Sequence, residues 1–395
     1  MDDFQLRLAR RFRKQAEFAA DTSPLSSRLL NIFAGWLAAD PGEDPLVDWL
    51  VRTSSGRSSF DVPLLLMAGL HRDILAGCAG VQDLARYYPS VGGKFPIDAV
   101  DLAACLRRAI WARKEKLADY IATAQVQTNE TARGLCWLLP VQYPGWQSVH
   151  LLDLGASAGL NLVADQRHYR LTDAADDAIL LELGSGNPPL FTVAGDGPLL
   201  LPSRPVLPVI RSRIGCDLAP LDVRSEGEER LLTAYVWGDQ LGRLDVLRQG
   251  IAALLRVNRS DAPVHLHQVD LPDNLPRFLE QHVSPLADAP VVLYNTYLAT
   301  YLHDKGASLR PHLAAWASCR PQPVLWLQWE TLWQGPHPPE FGWVGWTADL
   351  WMNGRHHHWH LAWTHPHGSR IRWLPGWAEW TAFWRSDKSC REGRG

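Results

Sequence analysis

One stretch, residues 149–161 with the sequence VHLLDLGASAGLN, most limits what this chain can fold into. It begins as a short apolar run that ends at Asp153, and it continues as a turn of small residues that should open a helix. A strand, a glycine-rich turn and a helix in this order bring backbone amides to a ligand in α/β folds. The stretch therefore predicts an α/β domain whose ligand lies against this turn.

The small residues of the turn suit such a contact. Gly155 allows a sharp bend, and Ala156, Ser157 and Gly159 carry so little side chain that a ligand can lie on the backbone. Asp153 can accept amide hydrogens from the turn. The dinucleotide fingerprint fails, because it requires glycine at positions 155, 157 and 160. A tight strand-to-helix connection without a ligand is the alternative interpretation.

The looser pattern of the stretch is apolar, apolar, Asp, apolar, Gly, x, Gly, x, Gly, with Ser157 in place of the middle glycine. This pattern resembles the first motif of class I S-adenosylmethionine-dependent methyltransferases. The resemblance implies that the cofactor S-adenosylmethionine lies over residues 155–159.

Composition limits the classes of function. At roughly 100 to 200 residues per domain, a chain of 395 residues should hold two domains. A formal net charge of −3 gives no basic surface for nucleic acid, which favours a small-molecule substrate. The six cysteines are scattered without a C-x-x-C, as is typical of free thiols in a reducing compartment. The charged N-terminus lacks a signal-peptide core, and no apolar run approaches the ~20 residues of a membrane span. We expect a cytoplasmic protein without membrane contact.

The first 145 residues carry helical patterns. Apolar residues recur at four-residue spacing near the start, and residues 26–39, 62–76 and 98–124 are further predicted helices, separated by Pro and Gly clusters. We expect residues 1–145 to form an all-α domain. It would cap the second domain and help to form the substrate site, or it would be the face of a homodimer.

The end of this helical region, residues 126–133, reads VQTNETAR. Thr128 or Asn129 is a natural N-cap for a short helix that runs to Leu139, and capping alone would explain the segment. Four consecutive polar residues just before the glycine-rich strand would also sit at the mouth of a site built on that strand. The candidate substrate-binding residues are Gln127, Thr128, Asn129, Glu130 and Arg133.

Several motifs along the chain together resemble one bacterial family. They are QTNE with Arg133 and LLP at 138–140, LLDLGASAGLN, IGCDLAPLDV, VWGDQLGRL, and HPHG ahead of RWL at 372–374. Over essentially its whole length the chain resembles the uncharacterised bacterial domain-of-unknown-function family 2332. The resemblance implies a methyltransferase-like fold and no particular substrate or reaction.

A methyltransferase-like sheet needs an acidic residue at the end of its second strand. Spacing from Gly159 favours Glu182, near the ~20 residues expected of a compact dinucleotide unit. Connectivity favours Asp217, since parallel strands need a crossover that is usually helical. Residues 225–257 have a helical pattern, whereas residues 184–213 are rich in Gly and Pro. We therefore choose Asp217.

This choice gives a Rossmann-like α/β domain at residues 146–395, with an inserted β-ribbon at about residues 169–212 and a second strand at 214–217. The sheet is predicted to be mostly parallel and to end in antiparallel strands. The remaining predicted strands are 264–270, 291–297, 323–329, 341–351, 356–364 and 371–374.

Polar residues recur at the predicted carboxyl ends of these strands, which is where such sheets bind ligands. We expect Asp217 to contact the cofactor ribose and Asp270 its adenine amino group, although either could be a loop carboxylate or a helix cap. Asp153 and Asn295 fall at similar ends, and Asn295 is a catalytic candidate. The sequence NTY at 295–297 lacks the Asp or Asn, Pro, Pro, aromatic pattern of many amino-group methyltransferases. This argues against amino-group or nucleic-acid base acceptors.

Histidines dominate the C-terminal region. Strand alternation puts His356, His358 and His360 on one face, where aligned imidazoles could bind zinc, copper or iron. No carboxylate lies nearby in the sequence, so we predict no metal. His365 and His367 flank a proline ahead of a glycine, and they are catalytic candidates. Either could take a proton from the acceptor as a general base, or both could stabilise a turn.

The favoured hypothesis is a cytoplasmic S-adenosylmethionine-dependent methyltransferase of a small-molecule acceptor. One alternative is a non-catalytic methyltransferase-like binding or regulatory protein, which Ser157 and the missing fourth-strand pattern favour. The other is a metal-dependent enzyme that uses the histidine strand.

Overall fold

The computed structural model describes residues 3–39, 44–127, 130–186, 191–197, 199–201, 206–332, 335–340 and 342–386. The chain divides into two compact units. The first comprises residues 1–129 and 222–248, and the second comprises residues 130–221 and 249–395. No helix in the described ranges is both long enough and apolar enough to cross a membrane.

The described α-helices are α1 (Asp3–Ala19), α2 (Pro24–Ala38), α3 (Pro45–Ser54), α4 (Asp61–Leu75), α5 (Gln82–Ala85), α6 (Leu102–Thr123), α7 (Leu135–Leu138), α8 (Glu226–Ala234), α9 (Leu241–Val257), α10 (Leu275–Phe278), α11 (Leu309–Ser318) and α12 (Pro375–Ser386). Short 3-10 helices occupy Pro89–Val91, Thr131–Gly134, Pro140–Gln142 and Leu160–Gln166, and a π-helical turn occupies Leu279–Val283.

The described strands are β1 (Ser148–Leu154), β2 (Tyr169–Asp173), β3 (Ile179–Leu183), β4 (Phe191–Asp196), β5 (Val209–Asp217), β6 (Val264–Gln268), β7 (Val291–Thr296), β8 (Val324–Glu330), β9 (Val344–Met352), β10 (Arg355–Thr364) and β11 (Arg370–Trp373).

The first unit is helical, and it contains α1 to α6, α8 and the first part of α9. The helices predicted at 26–39, 62–76 and 98–124 are confirmed as α2, α4 and α6. The carboxylate of Asp239 caps α2 by accepting from the Leu25 amide at 2.9 Å and from the Ser23 hydroxyl. The rings of Phe12 and Phe33, 5.2 Å apart, join α1 to α2 in the core.

The second unit is built on one sheet of eleven described strands, in the order β3-β2-β4-β11-β10-β9-β8-β7-β1-β5-β6. Strands β6, β5, β1, β7 and β8 are parallel neighbours. Strands β9, β10 and β11 continue the sheet in antiparallel pairs. The prediction of a mostly parallel sheet with antiparallel C-terminal strands is confirmed.

Strand order reverses at β1. The chain passes from β1 to β5 and β6 on one side, and then returns to β7 and β8 on the other side. Leu152 lies between Ile214 of β5 and Leu293 of β7, and all three are buried. Such apolar central strands are typical of a parallel sheet covered on both faces. The carboxyl ends of β1, β5 and β7 therefore meet at one edge of the sheet.

The inserted segment at 169–212 joins the sheet and extends it. Strands β2 and β3 form an antiparallel pair, and β4 runs parallel both to β2 and to β11. The insertion therefore holds a ribbon with a third strand, which connects it to the end of the chain.

The helix predicted to follow the glycine-rich turn is wrong in type. Residues Leu160–Gln166 form a 3-10 helix with a non-helical residue at Val163. Arg213 helps to hold this compact segment, because its guanidinium donates to both carboxylate oxygens of Asp165 at 2.7 Å and to the carbonyl of Leu162. The glycine-rich turn is therefore followed by a short 3-10 helix and not by a long α-helix.

Candidate functional site

The glycine-rich turn lies at the point where strand order reverses, directly after β1. Gly155, Ser157 and Gly159 all adopt positive φ angles, of 83°, 49° and 76°. The amides of Gly155 and Ala156 both donate to the carbonyl of Cys216 on β5, at 2.8 and 3.0 Å. A left-handed conformation at a non-glycine residue costs about 1 kcal/mol, so the conformation of Ser157 needs support from a neighbour.

Asp217, at the end of β5, supplies that support. Its Oδ2 accepts from the Ser157 amide at 2.8 Å, and its Oδ1 accepts from the Ala219 amide at 3.0 Å. Beside it, the Leu218 side chain is 47% exposed. Asp270 follows the adjacent strand β6 and is exposed. This edge of the sheet thus presents a carboxyl group and an apolar side chain at the end of β5, and a second carboxyl group after β6.

Asp153 is buried at the end of β1, opposite Tyr294 of β7. The prediction that Asp153 accepts amide hydrogens from the turn is wrong for residues 155–157, because their amides donate to the Cys216 carbonyl and to Asp217. Burial raises the pKa of Asp153 to about 8; Asp217 adds to the rise, and the Tyr294 hydroxyl opposes it. Asp153 is therefore protonated at neutral pH.

A cluster of buried, hydrogen-bonded side chains lies at the carboxyl ends of β7 and β8. Asn295 is fully buried; its Nδ2 donates to Glu330 Oε1 at 2.7 Å, and its Oδ1 accepts from Trp326 Nε1 at 2.7 Å. Glu330 also accepts from the amides of Leu298 and Ala299, at 2.7 and 3.2 Å. Burial raises the pKa of Glu330 to about 7, although these hydrogen bonds oppose the rise. Both ends of the Asn295 amide are thus committed to neighbouring side chains.

Glu330 therefore fixes the segment 297–299 that follows β7. Tyr297 has a positive φ of 58°, and its hydroxyl donates to the Gly342 carbonyl at 3.1 Å. The guanidinium of Arg133 lies over the Tyr297 ring at 4.0 Å from its centroid. Leu298 covers the glycine-rich turn, because a Cβ built on Gly155 would lie 3.0 Å from Leu298 Cδ1.

The HPHG turn at 365–368 contacts the segment that contains Glu130 and Arg133. Arg133 Nε donates to the Pro366 carbonyl at 3.0 Å. His367 Nδ1 lies 3.2 Å from Glu130 Oε2. Gly368 packs closely on this segment, since a Cβ built there would lie 3.2 Å from Ala132 Cβ.

His365 has a different environment from His367. Its Nδ1 accepts from the His367 amide at 3.3 Å and lies 3.0 Å from the Ser369 hydroxyl. Burial, together with the neighbouring His367 and Arg370, lowers the pKa of His365 to about 4. His365 is therefore a neutral imidazole near pH 7.

The structure thus brings together several predicted site residues in the second unit. Glu130 and Arg133 lie against the turn that carries His365 and His367, and Arg133 reaches the segment after β7 through Tyr297. Gln127 belongs to the first unit, and Thr128 and Asn129 lie outside the described residues.

Sequence reasoning did not single out Glu330. Its position at the carboxyl end of β8 is the same signal that selected Asp217, so the rule for strand ends could have found it.

The histidine strand β10 does have a carboxylate beside it, and the expectation that none would be near was wrong. Buried Asp349 of β9 lies 2.9 Å from His356 Nε2 and 3.0 Å from His358 Nδ1, and it also pairs with Arg310. Within the described ranges, no three His, Cys, Asp or Glu side chains are arranged to hold a metal ion.

A family model described as "Uncharacterized protein conserved in bacteria (DUF2332)" matches residues 9–373. No curated protein and no solved structure shows significant similarity to the chain. Because the match spans most of the sequence, the chain belongs to this family of uncharacterised bacterial proteins.

Proposed function

We propose that the second unit binds S-adenosylmethionine and transfers its methyl group to a small-molecule acceptor. The observation that carries this proposal is the position of the turn at 155–159. It lies where strand order reverses, and it is tied to the acidic residue at the end of the next strand. The parallel strands β6-β5-β1-β7-β8 follow the 3-2-1-4-5 order of nucleotide-binding α/β sheets, which bind ligands at this place.

The residues beyond β5 and β6 fit a nucleoside. The two Asp217 oxygens each accept one amide, and a carboxylate has about four acceptor sites, so Asp217 retains capacity for ribose hydroxyls. Exposed Leu218 offers an apolar surface to a base, and exposed Asp270 can accept from an exocyclic amino group. When bound, the cofactor supplies an activated methyl group on a sulfonium centre.

In the proposed reaction, the residues of the chain bind the cofactor and the acceptor, orient them and exclude water. An activated methyl group needs an aligned nucleophile, and holding two reactants in line is among the largest effects available to a site. The segment 297–299, fixed by Glu330, and the HPHG turn, held by Arg133, are the elements that would orient an acceptor beside the cofactor.

Calorimetric titration of the whole protein with S-adenosylmethionine and with S-adenosylhomocysteine tests the proposal. We expect at least one of them to bind with a micromolar dissociation constant, which corresponds to a binding free energy of about −8 kcal/mol. D217N and D270N should weaken this binding. D273N is the matched control, because Asp273 is also an exposed acid after β6 but pairs with His303. Failure of both compounds to bind the wild-type protein would refute the proposal.

The second candidate is a methyltransferase-like binding or regulatory protein without catalysis. It is favoured by the burial of Ser157, which is 8% exposed, and by the hydrogen bonds that both Asp217 oxygens already accept from the backbone amides of Ser157 and Ala219. The same titration separates the two candidates, because this one predicts a folded protein that binds neither compound.

A further inference from the structure

Glu130 and His367 form a carboxylate and imidazole pair that the fold brings together from distant parts of the chain. Glu130 Oε2 lies 3.2 Å from His367 Nδ1. The glutamate side chain is 7% exposed, whereas the histidine side chain is 26% exposed. The carboxylate is thus the inner member of the pair, and the imidazole is the member that solvent or a substrate can reach.

The position of this carboxylate favours one tautomer of His367. A carboxylate beside Nδ1 favours the proton on that nitrogen, which leaves the lone pair of the neutral ring on Nε2. His365 has the opposite arrangement, because its Nδ1 accepts from the His367 amide and its proton therefore lies on Nε2. Of these two histidines, His367 is the one arranged to take a proton, and His365 is arranged to donate a hydrogen bond.

Direct contacts connect the pair to the glycine-rich turn. Arg133 donates to the carbonyl of Pro366, next to His367, and its guanidinium lies over Tyr297. Leu298 follows Tyr297 and covers Gly155. Every residue in this series belongs to the second unit. The pair therefore lies a few side chains from the place where the proposed function puts the methyl donor.

We propose that His367, positioned by Glu130, is the general base for a hydroxyl acceptor, an alcohol or a phenol. This inference rests on the proposed function. The acceptor oxygen forms the new bond to the methyl carbon, while the bond from that carbon to sulfur breaks and leaves its electron pair on sulfur. The hydroxyl proton passes to His367 Nε2, and the resulting imidazolium is stabilised by the negative charge of the nearby Glu130 carboxylate. A carboxylate acceptor would need no such base, because it is already ionised at neutral pH.

The first test needs neither cofactor nor acceptor. The pH titration of the His367 ring is followed by NMR in the wild-type protein, with the signal assigned through H367Q. In E130Q the midpoint should move to lower pH, because the nearby negative charge that stabilises the imidazolium is gone. E182Q is the matched control. It removes a carboxylate that lies 3.6 Å from another histidine, His168, in a more exposed pair, so the His367 midpoint should stay unchanged. An unchanged His367 midpoint in E130Q would overturn the inference.

The second test measures methyl transfer from labelled S-adenosylmethionine to panels of phenols, primary alcohols and carboxylic acids. We expect transfer to a hydroxyl compound. H367Q should reduce its rate by about 10² to 10⁴ while calorimetry shows unchanged cofactor binding. Preference for carboxylic acids, or an H367Q rate equal to that of the wild type, would overturn the inference and leave the proposed function intact. Absence of cofactor binding in the wild type would instead refute both.

Discussion

The buried carboxyl of Asp153 should make the stability of the protein depend on pH, and D153N should remove that dependence. The pKa of Asp153 in the folded protein is about 8, against an ordinary value of 3.8. An acid whose pKa is higher in the folded state retains its proton there while the unfolded chain has lost it. The free energy of unfolding therefore falls as pH rises between the two values, and this fall ends above the folded pKa.

The magnitude follows from proton linkage. One extra proton bound by the folded state lowers the free energy of unfolding by about 1.4 kcal/mol per pH unit. As pH rises from about 5 to about 7, Asp153 should thus lower the free energy of unfolding of the wild type by about 2.7 kcal/mol. The asparagine side chain of the D153N variant carries no such proton, and its amide has nearly the shape of the neutral acid. Glu330 has the same sign of effect, but it is common to both proteins and cancels in their difference.

Urea denaturation of the wild type and D153N at several pH values measures this difference directly. We expect the stability of the wild type relative to D153N to fall steadily over the window and to level off above about pH 8. D261N is the control, because Asp261 is exposed and its replacement should leave the pH profile unchanged. Parallel pH profiles for the wild type and D153N would show that Asp153 ionises normally and would refute the reasoning.

Two further substitutions test the turn and the segment behind it. G155A should destabilise the protein by about 1 to 2 kcal/mol in thermal melts, because alanine is strained at a φ of 83° and its Cβ would press on Leu298; a melting temperature equal to the wild type's would contradict this. R213M should cost about 3 to 5 kcal/mol in denaturant unfolding, since it leaves the buried Asp165 carboxylate without its guanidinium partner. Restoration of stability in the double variant R213M/D165L would support that cause, and a loss below about 1 kcal/mol in R213M alone would count against it.

The strands could be predicted because local patterns are sufficient to find them. Extended patterns located β6 to β8 and the antiparallel strands after them to within a few residues, whereas only the end of β5 was predicted, because residues 209–212 were assigned to the inserted ribbon. The rule that parallel strands need a helical crossover correctly placed Asp217, and not Glu182, on the neighbour of β1. Glu182 lies on β3, at the far edge of the sheet.

The contacts within the site could not be predicted in the same way, because they depend on register and on long-range packing. Asp349 lies directly opposite His358 only because β9 and β10 pair in one particular register. Glu130 lies beside His367 where Gly368 of the HPHG turn packs on Ala132, a contact between distant parts of the chain. The 3-10 helix after the glycine-rich turn also makes a long-range contact, since the carbonyl of Leu162 accepts a hydrogen bond from the distant Arg213 guanidinium.

The pairing of β4 with β11 has a consequence for the order in which the protein assembles during synthesis. Strand β4 ends at Asp196, whereas β11 begins only at Arg370. At about 5 to 20 residues per second, the ribosome needs on the order of ten seconds or more to make the chain between them. Throughout that interval the nascent chain lacks the strand that pairs with this edge of β4, and an unpaired strand edge is a place where another chain can pair.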